Sequence, residues 1–191
     1  MGRIQNYSML NCAVNPQACK EGPNAYRPIF RSKKVCIIGG GVAGCEAARV
    51  LAIRGHKPVL FEKTGVIGGN LIPGGAPSFK EDDIALAKWY EHQMEVLGIE
   101  VHMNTTVTKE MVLSGGYDTV IVATGSTPKV FKLGDDEKVY TAADVLTGVK
   151  DPGDTTVIVG GGLVGLELAL DLAEKGKKVT VVEAMDKLLA V

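Results

Sequence analysis

The chain has 191 residues and nearly balanced charges, with 21 lysines and arginines against 22 aspartates and glutamates. A formal net charge of −1, with both signs interleaved, is not typical of proteins that bind nucleic acid or an anionic membrane. No apolar stretch reaches the roughly 18–20 residues that span a bilayer, and the amino terminus has no signal-peptide core. We therefore expect a globular cytoplasmic protein without nucleic-acid or membrane partners.

The first 31 residues are predicted to be an irregular leader, because three prolines and Gly22 interrupt them and no periodicity is visible. Cys12 and Cys19 lie in this leader. Their spacing matches neither a zinc pair nor a complete set of iron–sulfur ligands, and two thiols cannot hold a cluster alone. From the residues themselves, no metal site is predicted.

A buried parallel strand is predicted from Val35 to Ile38, followed by a glycine-rich turn and a helix that runs to about Arg54. Gly55 is a plausible carboxyl-terminal cap of that helix. A second strand, Pro58 to Phe61, ends at Glu62. Two cysteines lie where small apolar residues are expected and are predicted to be buried, inert thiols: Cys36 and Cys45.

The glycines between this strand and helix have the spacing GxGxxG of a dinucleotide-binding turn. In such a turn Gly39 would allow the tight bend, Gly41 would let the backbone approach a pyrophosphate, and Gly44 would allow close packing of the helix on the strand. The free amides and the positive dipole end of the helix would face the phosphates. The Glu62 carboxylate would accept hydrogen bonds from ribose hydroxyls.

Four further segments follow Glu62. Residues 63–79 contain five glycines and two prolines and are predicted to be mostly irregular. They could wrap a cofactor with backbone amides or form a solvated crossover loop. Residues 82–97 show the periodicity of an amphipathic helix. Residues 99–103 and 107–108 are predicted to form a strand with a turn, and residues 117–123 another buried strand.

The stretch from Thr156 to Glu183 repeats the stretch from Val35 to Glu62 at an offset of 121 residues, and twelve of the 28 aligned positions are identical. Its glycines are Gly160, Gly162 and Gly165. One GxGxxG is weak evidence, but two copies in the same strand–helix–strand–acid context are strong evidence. The sequence therefore predicts an α/β, Rossmann-like fold with two dinucleotide-binding units.

Several motifs together resemble one family. These are FEK followed by IGGNL, VIVATGSTP, TAADVL and the second glycine-rich unit. They are similar to the FAD- and NAD(P)-binding portion of the NADH:flavin oxidoreductases, the multidomain relatives of old yellow enzyme that include 2,4-dienoyl-CoA reductase and 2-enoate reductase. The leader segment CAVNPQACKE resembles the segment that leaves the barrel domain of these enzymes and supplies the last cysteine of an iron–sulfur cluster. The resemblance implies that Cys12 is that last ligand.

The resemblance implies three segments in this chain. Residues 1–31 would be the leader after the barrel, residues 32–150 the FAD-binding domain, and residues 151–191 the first β-α-β unit of a NAD(P)-binding domain. The second nucleotide domain would then be truncated. A complete relative also has a (β/α)8 barrel with FMN and the cluster, so we expect the chain to be a fragment, a truncated reading frame or one piece of a split enzyme.

The resemblance also implies site residues for two cofactors. FAD would contact Gly39, Gly41, Val42, Ala43 and Gly44 at the pyrophosphate, Glu62 at the ribose, Lys63, Gly69, Asn70 and Leu71 farther out, Val107 near the adenine, and Ala123, Thr124 and Gly125 over the phosphates. NAD(H) would contact Gly160, Gly162, Leu163, Val164, Gly165 and Glu183. Some relatives hold only ADP at the first site. The carboxylate of Glu183 repels a 2′-phosphate, which favours NADH over NADPH.

Three functions remain open from the sequence. The first is a module that passes electrons from NADH through FAD toward an iron–sulfur and flavin barrel that reduces an enoate-type substrate. No catalytic residue is predicted for it, because hydride transfer between cofactors depends on their positioning. The second is a structural module that binds ADP or FAD without a redox role. The third, a stand-alone disulfide reductase, is disfavoured because the chain has no CxxC pair.

Overall fold

A computed structural model describes residues 12, 15–23, 25–130, 134 and 136–189. The contacts within it divide the chain into two compact units. The first consists of Met1–Ile67 and Trp89–Thr124, and the second of Gly68–Lys88 and Gly125–Val191.

Six strands and six α-helices occur in the described part of the chain. The strands are β1 (Lys34–Ile38), β2 (Lys57–Phe61), β3 (Glu100–His102), β4 (Thr119–Val122), β5 (Thr155–Val159) and β6 (Lys178–Val182). The helices are α1 (Val42–Ile53), α2 (Leu71–Gly74), α3 (Glu81–Val96), α4 (Lys109–Ser114), α5 (Ala142–Leu146) and α6 (Leu163–Glu174). Short 3₁₀ helices cover Ser78–Lys80 and Asp136–Lys138.

The first unit contains a four-stranded parallel sheet in the order β3-β2-β1-β4. Strand β1 is central, with Cys36 opposite Val59 on one side and Val120 on the other. Successive side chains of β1 face opposite sides of the sheet. Cys36 packs with Val59 and Phe61 in a cluster that also includes Val107, Val112 and Tyr117. The predicted buried strand before the glycine turn is confirmed, and it pairs in parallel with the predicted second strand.

The predicted strand at Val107–Thr108 is wrong. Thr108 is the amino-terminal cap of α4, and its hydroxyl accepts a hydrogen bond from the Met111 amide at 3.3 Å. Valine and threonine favour strands, which misled the prediction, but a threonine hydroxyl also satisfies a free amide at a helix start. The adjacent strand is also shorter than predicted, because β3 ends at His102.

The second unit contains the parallel pair β5 and β6 with α6 between them in sequence. Its core is built from Ile158 of β5 with Leu168 and Leu172 of α6. Residues of α5 and β6 pack against this cluster. The adjacent β5 side chains Val157 and Val159 are each 62% exposed, so one face of this two-stranded sheet has no cover within the described residues.

The two units do not follow the predicted boundary at residue 150. Residues 68–88 and 125–150 cluster with the second glycine-rich unit. Within that unit, Lys80 pairs with Glu167 of α6 at 3.0 Å, and α2 contacts α5. The assignment of functional domains to residues 32–150 and 151–191 therefore stays a prediction. None of the described helices is long and apolar enough to cross a membrane.

Candidate nucleotide-binding sites

The first glycine of each turn is required by the backbone. Gly39 has φ = 111° and Gly160 has φ = 112°, a region that residues with a Cβ rarely adopt. Each amide donates to the last residue of the neighbouring strand, Gly39 to the Phe61 carbonyl and Gly160 to the Val182 carbonyl, both at 2.8 Å. A Cβ on Gly39 would also meet the carbonyl of Ala123. These glycines turn the chain from strand to helix, as the sequence predicts.

The second predicted glycine has no such backbone requirement. Gly41 has φ = −76° and ψ = −177°, and Gly162 has φ = −76° and ψ = −180°, so both are extended backbone that any residue adopts. A Cβ on Gly162 would have no atom of the described residues within 4 Å. Neither its conformation nor packing within the described part of the chain explains the glycine at position 162. A bare backbone facing open space is what close approach of a pyrophosphate needs.

The third glycine brings helix and turn into contact. A Cβ on Gly44 would overlap the carbonyl oxygen of Gly39, and a Cβ on Gly165 would overlap that of Gly160. The same Cβ on Gly44 would lie 3.4 Å from a methyl group of Ile37 in β1. The sequence assigns both glycines to close helix–strand packing, and the structure places them there.

The helices that follow these turns begin without a side-chain cap. Gly41 and Gly162 are the cap residues of α1 and α6, and among the described residues neither helix start has a side-chain cap hydrogen bond. The short helix α4, by contrast, is capped by Thr108. The first amides of a helix lack partners within it and combine with the dipole to favour an anion. The amino ends of α1 and α6 therefore leave amide donors for a phosphate group.

Glu62 closes the first turn through three hydrogen bonds. Its Oε2 accepts from the Gly40 amide at 2.6 Å, and its Oε1 accepts from the Thr64 amide at 2.8 Å and the Thr64 hydroxyl at 2.9 Å. Burial opposes ionisation of Glu62, but these hydrogen bonds outweigh it and hold its pKa below the ordinary value. An ionised carboxylate offers about four acceptor positions. The three hydrogen bonds to Glu62 leave one of these acceptor positions unused, and its predicted contact with a ribose hydroxyl stays a prediction.

Glu183 repeats this arrangement in the second turn. Its Oε2 accepts from the Gly161 amide at 2.6 Å, and its Oε1 accepts from the Met185 amide at 2.9 Å. The Met185 and Gly161 hydrogen bonds lower the pKa of Glu183. The position equivalent to Thr64 is Met185, which has no hydroxyl, so Glu183 keeps more acceptor capacity than Glu62. Both carboxylates are charged at neutral pH and fixed beside their glycine turns.

Replacing Glu62 with glutamine is expected to destabilise the first unit by about 1–3 kcal/mol at pH 7. The amide NH₂ would face a backbone N–H where an oxygen now accepts. Since the folded pKa of Glu62 is lowered, its stabilisation is present above the unfolded pKa of about 4.3 and is lost as the pH falls through the folded pKa. Denaturant unfolding at pH 7 and at decreasing pH should therefore show a difference that shrinks in acid.

Glu183→Gln is the matched control for this change, because it makes the same substitution in the less buried copy. It should alter the unfolding free energy less than Glu62→Gln does. Equal effects of the two variants, or a Glu62→Gln deficit that does not change with pH, would contradict the role given to the Glu62 hydrogen bonds.

The remaining predicted residues are divided between the units. In the first unit, Ala123 and Thr124 lie against Gly39, Lys63 is exposed, and Val107 is partly buried in the core cluster. Val42 and Ala43 are the first residues of α1.

The other predicted residues lie in the second unit. Gly69 has φ = 56° and Gly125 has φ = 66°. Asn70 and Leu71 begin α2, and Leu163 and Val164 are each 61% exposed at the start of α6. Their contacts with cofactors stay predictions.

Four residues of the two turns were missed by sequence reasoning. They are the middle glycines Gly40 and Gly161 and the residues Thr64 and Met185. A Cβ on Gly40 would lie 3.0 Å from the Cβ of Glu62. A side chain at the middle position would therefore crowd the glutamate that lies over the turn. The signal was present in the sequence, since both copies read GGG where the motif asks only for GxG.

The burial predicted for two of the cysteines is confirmed. Cys36 and Cys45 are buried, and Cys12 and Cys19 are exposed. Burial, with the nearby Glu62 and Glu46, raises the pKa of the Cys45 thiol to about 12, so it is not a reactive thiolate at neutral pH. Among the described residues no group of three or more candidate metal ligands is assembled. The role of Cys12 as a cluster ligand stays a prediction.

Comparison with known families decides the classification. A profile described as pyridine nucleotide-disulphide oxidoreductase matches residues 33–191. The chain belongs to this family. Its FAD/NAD(P)-binding fold, expected from the duplicated glycine motif, is thereby confirmed, and the family binds FAD and NAD(P).

The chain is similar to parts of larger oxidoreductases. The chain is 50% identical over 191 residues to cinnamate reductase of Clostridium sporogenes, covering 100% of this chain and 29% of that protein. It is 40% identical to NADH oxidase of Thermoanaerobacter brockii, again covering 29% of that protein. Among solved structures, a 2-naphthoyl-CoA reductase superposes with a TM-score of 0.88 at 32% identity, over 96% of this chain and 28% of that one. The chain thus corresponds to the nucleotide-binding part of relatives of the predicted flavin oxidoreductase type.

Proposed function

We propose that this chain is the FAD- and NAD(H)-binding module of a flavin oxidoreductase, which passes electrons from NADH through FAD toward a separate iron–sulfur and flavin barrel domain. An enoate-type compound would be reduced in that barrel. The observation that carries the proposal is the duplicated turn in which Gly41 and Gly162 have extended backbone. Packing and backbone geometry leave Gly162 unexplained, whereas a pyrophosphate explains it.

The first site would hold the adenosine diphosphate half of FAD. Backbone amides at the start of α1 would receive the pyrophosphate next to Gly41, and the fixed Glu62 carboxylate would accept from the ribose. When bound, the flavin supplies a two-electron acceptor for the hydride of a nicotinamide. The protein's task is to hold the cofactor in position, which agrees with the absence of a predicted catalytic residue.

The second site would hold NADH in the same manner. The ionised Glu183 carboxylate lies beside the turn of Gly160–Gly162, where it can accept from a ribose diol and would repel a 2′-phosphate. The names of the similar proteins, an NADH oxidase and a cinnamate reductase, support NADH as donor and an enoate as acceptor for the whole enzyme. By the same resemblance Cys12 would be the last cluster ligand.

One alternative has an observation in its favour. The turn, the uncapped helix start and Glu62 all address the adenosine diphosphate portion of a dinucleotide. A structural module that binds ADP or FAD without a redox role would use the same residues.

Titration of the purified chain separates these functions. We expect FAD to bind with a changed absorption spectrum and quenched fluorescence, and ADP to compete with it. NADH should bind at the second site more tightly than NADPH, by at least about tenfold, or 1.4 kcal/mol. If the chain binds ADP but added FAD keeps the fluorescence of free flavin, the structural module is favoured. If the chain binds neither FAD nor ADP, both functions are refuted.

A further inference from the structure

The leader is not separate from the first unit, because its last residues run along helix α1. The Tyr26 hydroxyl contacts the Glu46 carboxylate and the Arg49 guanidinium, each at 3.2 Å. Farther along, the Ile29 amide donates to the Arg54 carbonyl at 3.1 Å. These contacts pair successive leader residues with successive turns of the helix.

The same course continues past the carboxyl end of α1. The Ser32 hydroxyl donates to the Gly55 carbonyl at 2.8 Å, and the Lys33 amide donates to Nδ1 of His56 at 3.3 Å. Residues 25–33, which we call the strap, therefore follow α1 in the same direction from its second turn to its end. The chain then enters β1.

Arg49 is the centre of the amino-terminal attachment. Its Nε and Nη2 donate to the two Glu46 carboxylate oxygens, both at 2.8 Å. Its guanidinium lies over the Tyr26 ring, 5.3 Å from the centroid, and over the Trp89 ring of α3, 5.4 Å from the centroid. Only 13% of the Arg49 side chain is exposed. A bidentate ion pair with aromatic rings nearby uses the planar guanidinium in a way that lysine cannot reproduce.

Neighbouring groups complete this cluster. Tyr90 of α3 is buried and its hydroxyl lies 3.5 Å from a Glu46 oxygen. Burial, together with Glu46, raises the pKa of Tyr90 to about 12, so the tyrosine is a neutral donor at physiological pH. The Glu46 hydrogen bond raises the pKa of Arg49 as well. The strap is thus held against α1, and through Arg49 against α3, by side chains whose charges do not change near neutral pH.

The direction of the strap decides where it leads. A helix rises about 1.5 Å per residue, so Glu46 lies about 7 Å from the pyrophosphate turn at Gly41, and Arg54 lies about 20 Å from it. Followed backward along the chain, the strap runs from the far end of α1 toward the end that carries Gly41. The strap therefore begins beside the second turn of α1, toward the end that carries Gly41, and the preceding chain joins the first unit at that point.

We propose that the strap is a fixed part of the first unit, that Arg49 is the positioning residue that clamps it, and that it holds whatever precedes residue 25 at the pyrophosphate end of α1. The clamp itself needs no nucleotide. Its consequence rests on the proposed function: a preceding redox domain would be kept on the cofactor side, and electrons would not have to cross the length of the helix.

Distance measurement within the 191-residue chain tests the clamp, because Trp89 is its only tryptophan. Cys12→Ser, Cys19→Ser and Ala25→Cys together leave one exposed thiol at position 25, which takes a thiol-reactive AEDANS acceptor. Time-resolved energy transfer from Trp89 should give one narrow distance distribution without nucleotide. Arg49→Met should broaden it at least twofold, Tyr26→Phe should broaden it less, and Lys109→Met, a matched loss of an exposed cation, should leave it unchanged.

Trypsin gives an independent readout at the Arg31–Ser32 bond. Cleavage there should be at least tenfold faster in Arg49→Met than in the parent chain or in Lys109→Met. A broad distribution in the parent chain, or no change in either readout on Arg49→Met, would overturn the proposal. If Arg49→Met fails to fold by circular dichroism, Tyr26→Ala replaces it. The FAD affinity of Arg49→Met, measured in parallel, should stay within twofold of that of the parent chain. A failure of the cofactor proposal is thereby distinguished from a failure of the clamp.

Discussion

Gly44→Ala is expected to destabilise the first unit by about 3 kcal/mol, a large share of the stability of a typical domain. The new methyl group would overlap the carbonyl oxygen of Gly39. This oxygen cannot withdraw easily, because Gly39 is held at φ = 111° and by its hydrogen bond to Phe61. Denaturant unfolding followed by circular dichroism measures the loss.

The control for this variant lies in the second copy. Gly165→Ala should produce the same clash there, whereas Gly162→Ala places its methyl group in open space with ordinary backbone angles. Gly162→Ala should therefore change the unfolding free energy by less than about 0.5 kcal/mol. If Gly165→Ala and Gly162→Ala were equally stable, the close approach of helix and turn would not constrain the fold.

Gly41→Val is expected to lower FAD affinity at least a hundredfold, which corresponds to about 2.7 kcal/mol. Its extended backbone accommodates valine, so the protein should stay folded while the branched side chain occupies the space into which the pyrophosphate must come. Flavin fluorescence titration measures the affinity, and thermal unfolding confirms that the variant is intact.

Gly162→Val is the matched variant in the second copy. It should weaken NADH binding and leave FAD affinity unchanged. Gly41→Val should weaken FAD binding and leave NADH affinity unchanged. If a folded Gly41→Val protein bound FAD normally, the proposal that the FAD pyrophosphate lies at this turn would be wrong.

Strands β1 and β2, helix α1 and the structural roles of Gly39 and Gly44 could be predicted because their causes are local. A buried apolar run, a required positive φ and a cap residue all lie within a few positions of their signal. Thr108 misled the prediction because a threonine favours both strands and helix caps, and only the chain that follows decides between them.

What could not be predicted depends on contacts between distant residues. The Gly40 amide meets Glu62, 22 residues away, and Tyr26 meets Arg49, 23 residues away. Nothing in the irregular composition of the leader shows that Arg49 will hold it, so the sequence predicted a linker where the structure has a strap. Likewise, residues 68–88 group with the second unit, where Lys80 pairs with Glu167, 87 residues along the chain.

The carboxylate that lies over each middle glycine limits how the proposed preference for NADH over NADPH can be changed. Substituting Glu183 to admit a 2′-phosphate would also remove the acceptor for the Gly161 and Met185 amides. Charge and turn geometry are therefore altered by the same substitution. An engineered NADPH site in this protein needs a neutral acceptor, such as a serine or asparagine oxygen, that reaches the Gly161 amide before a cation is added for the phosphate.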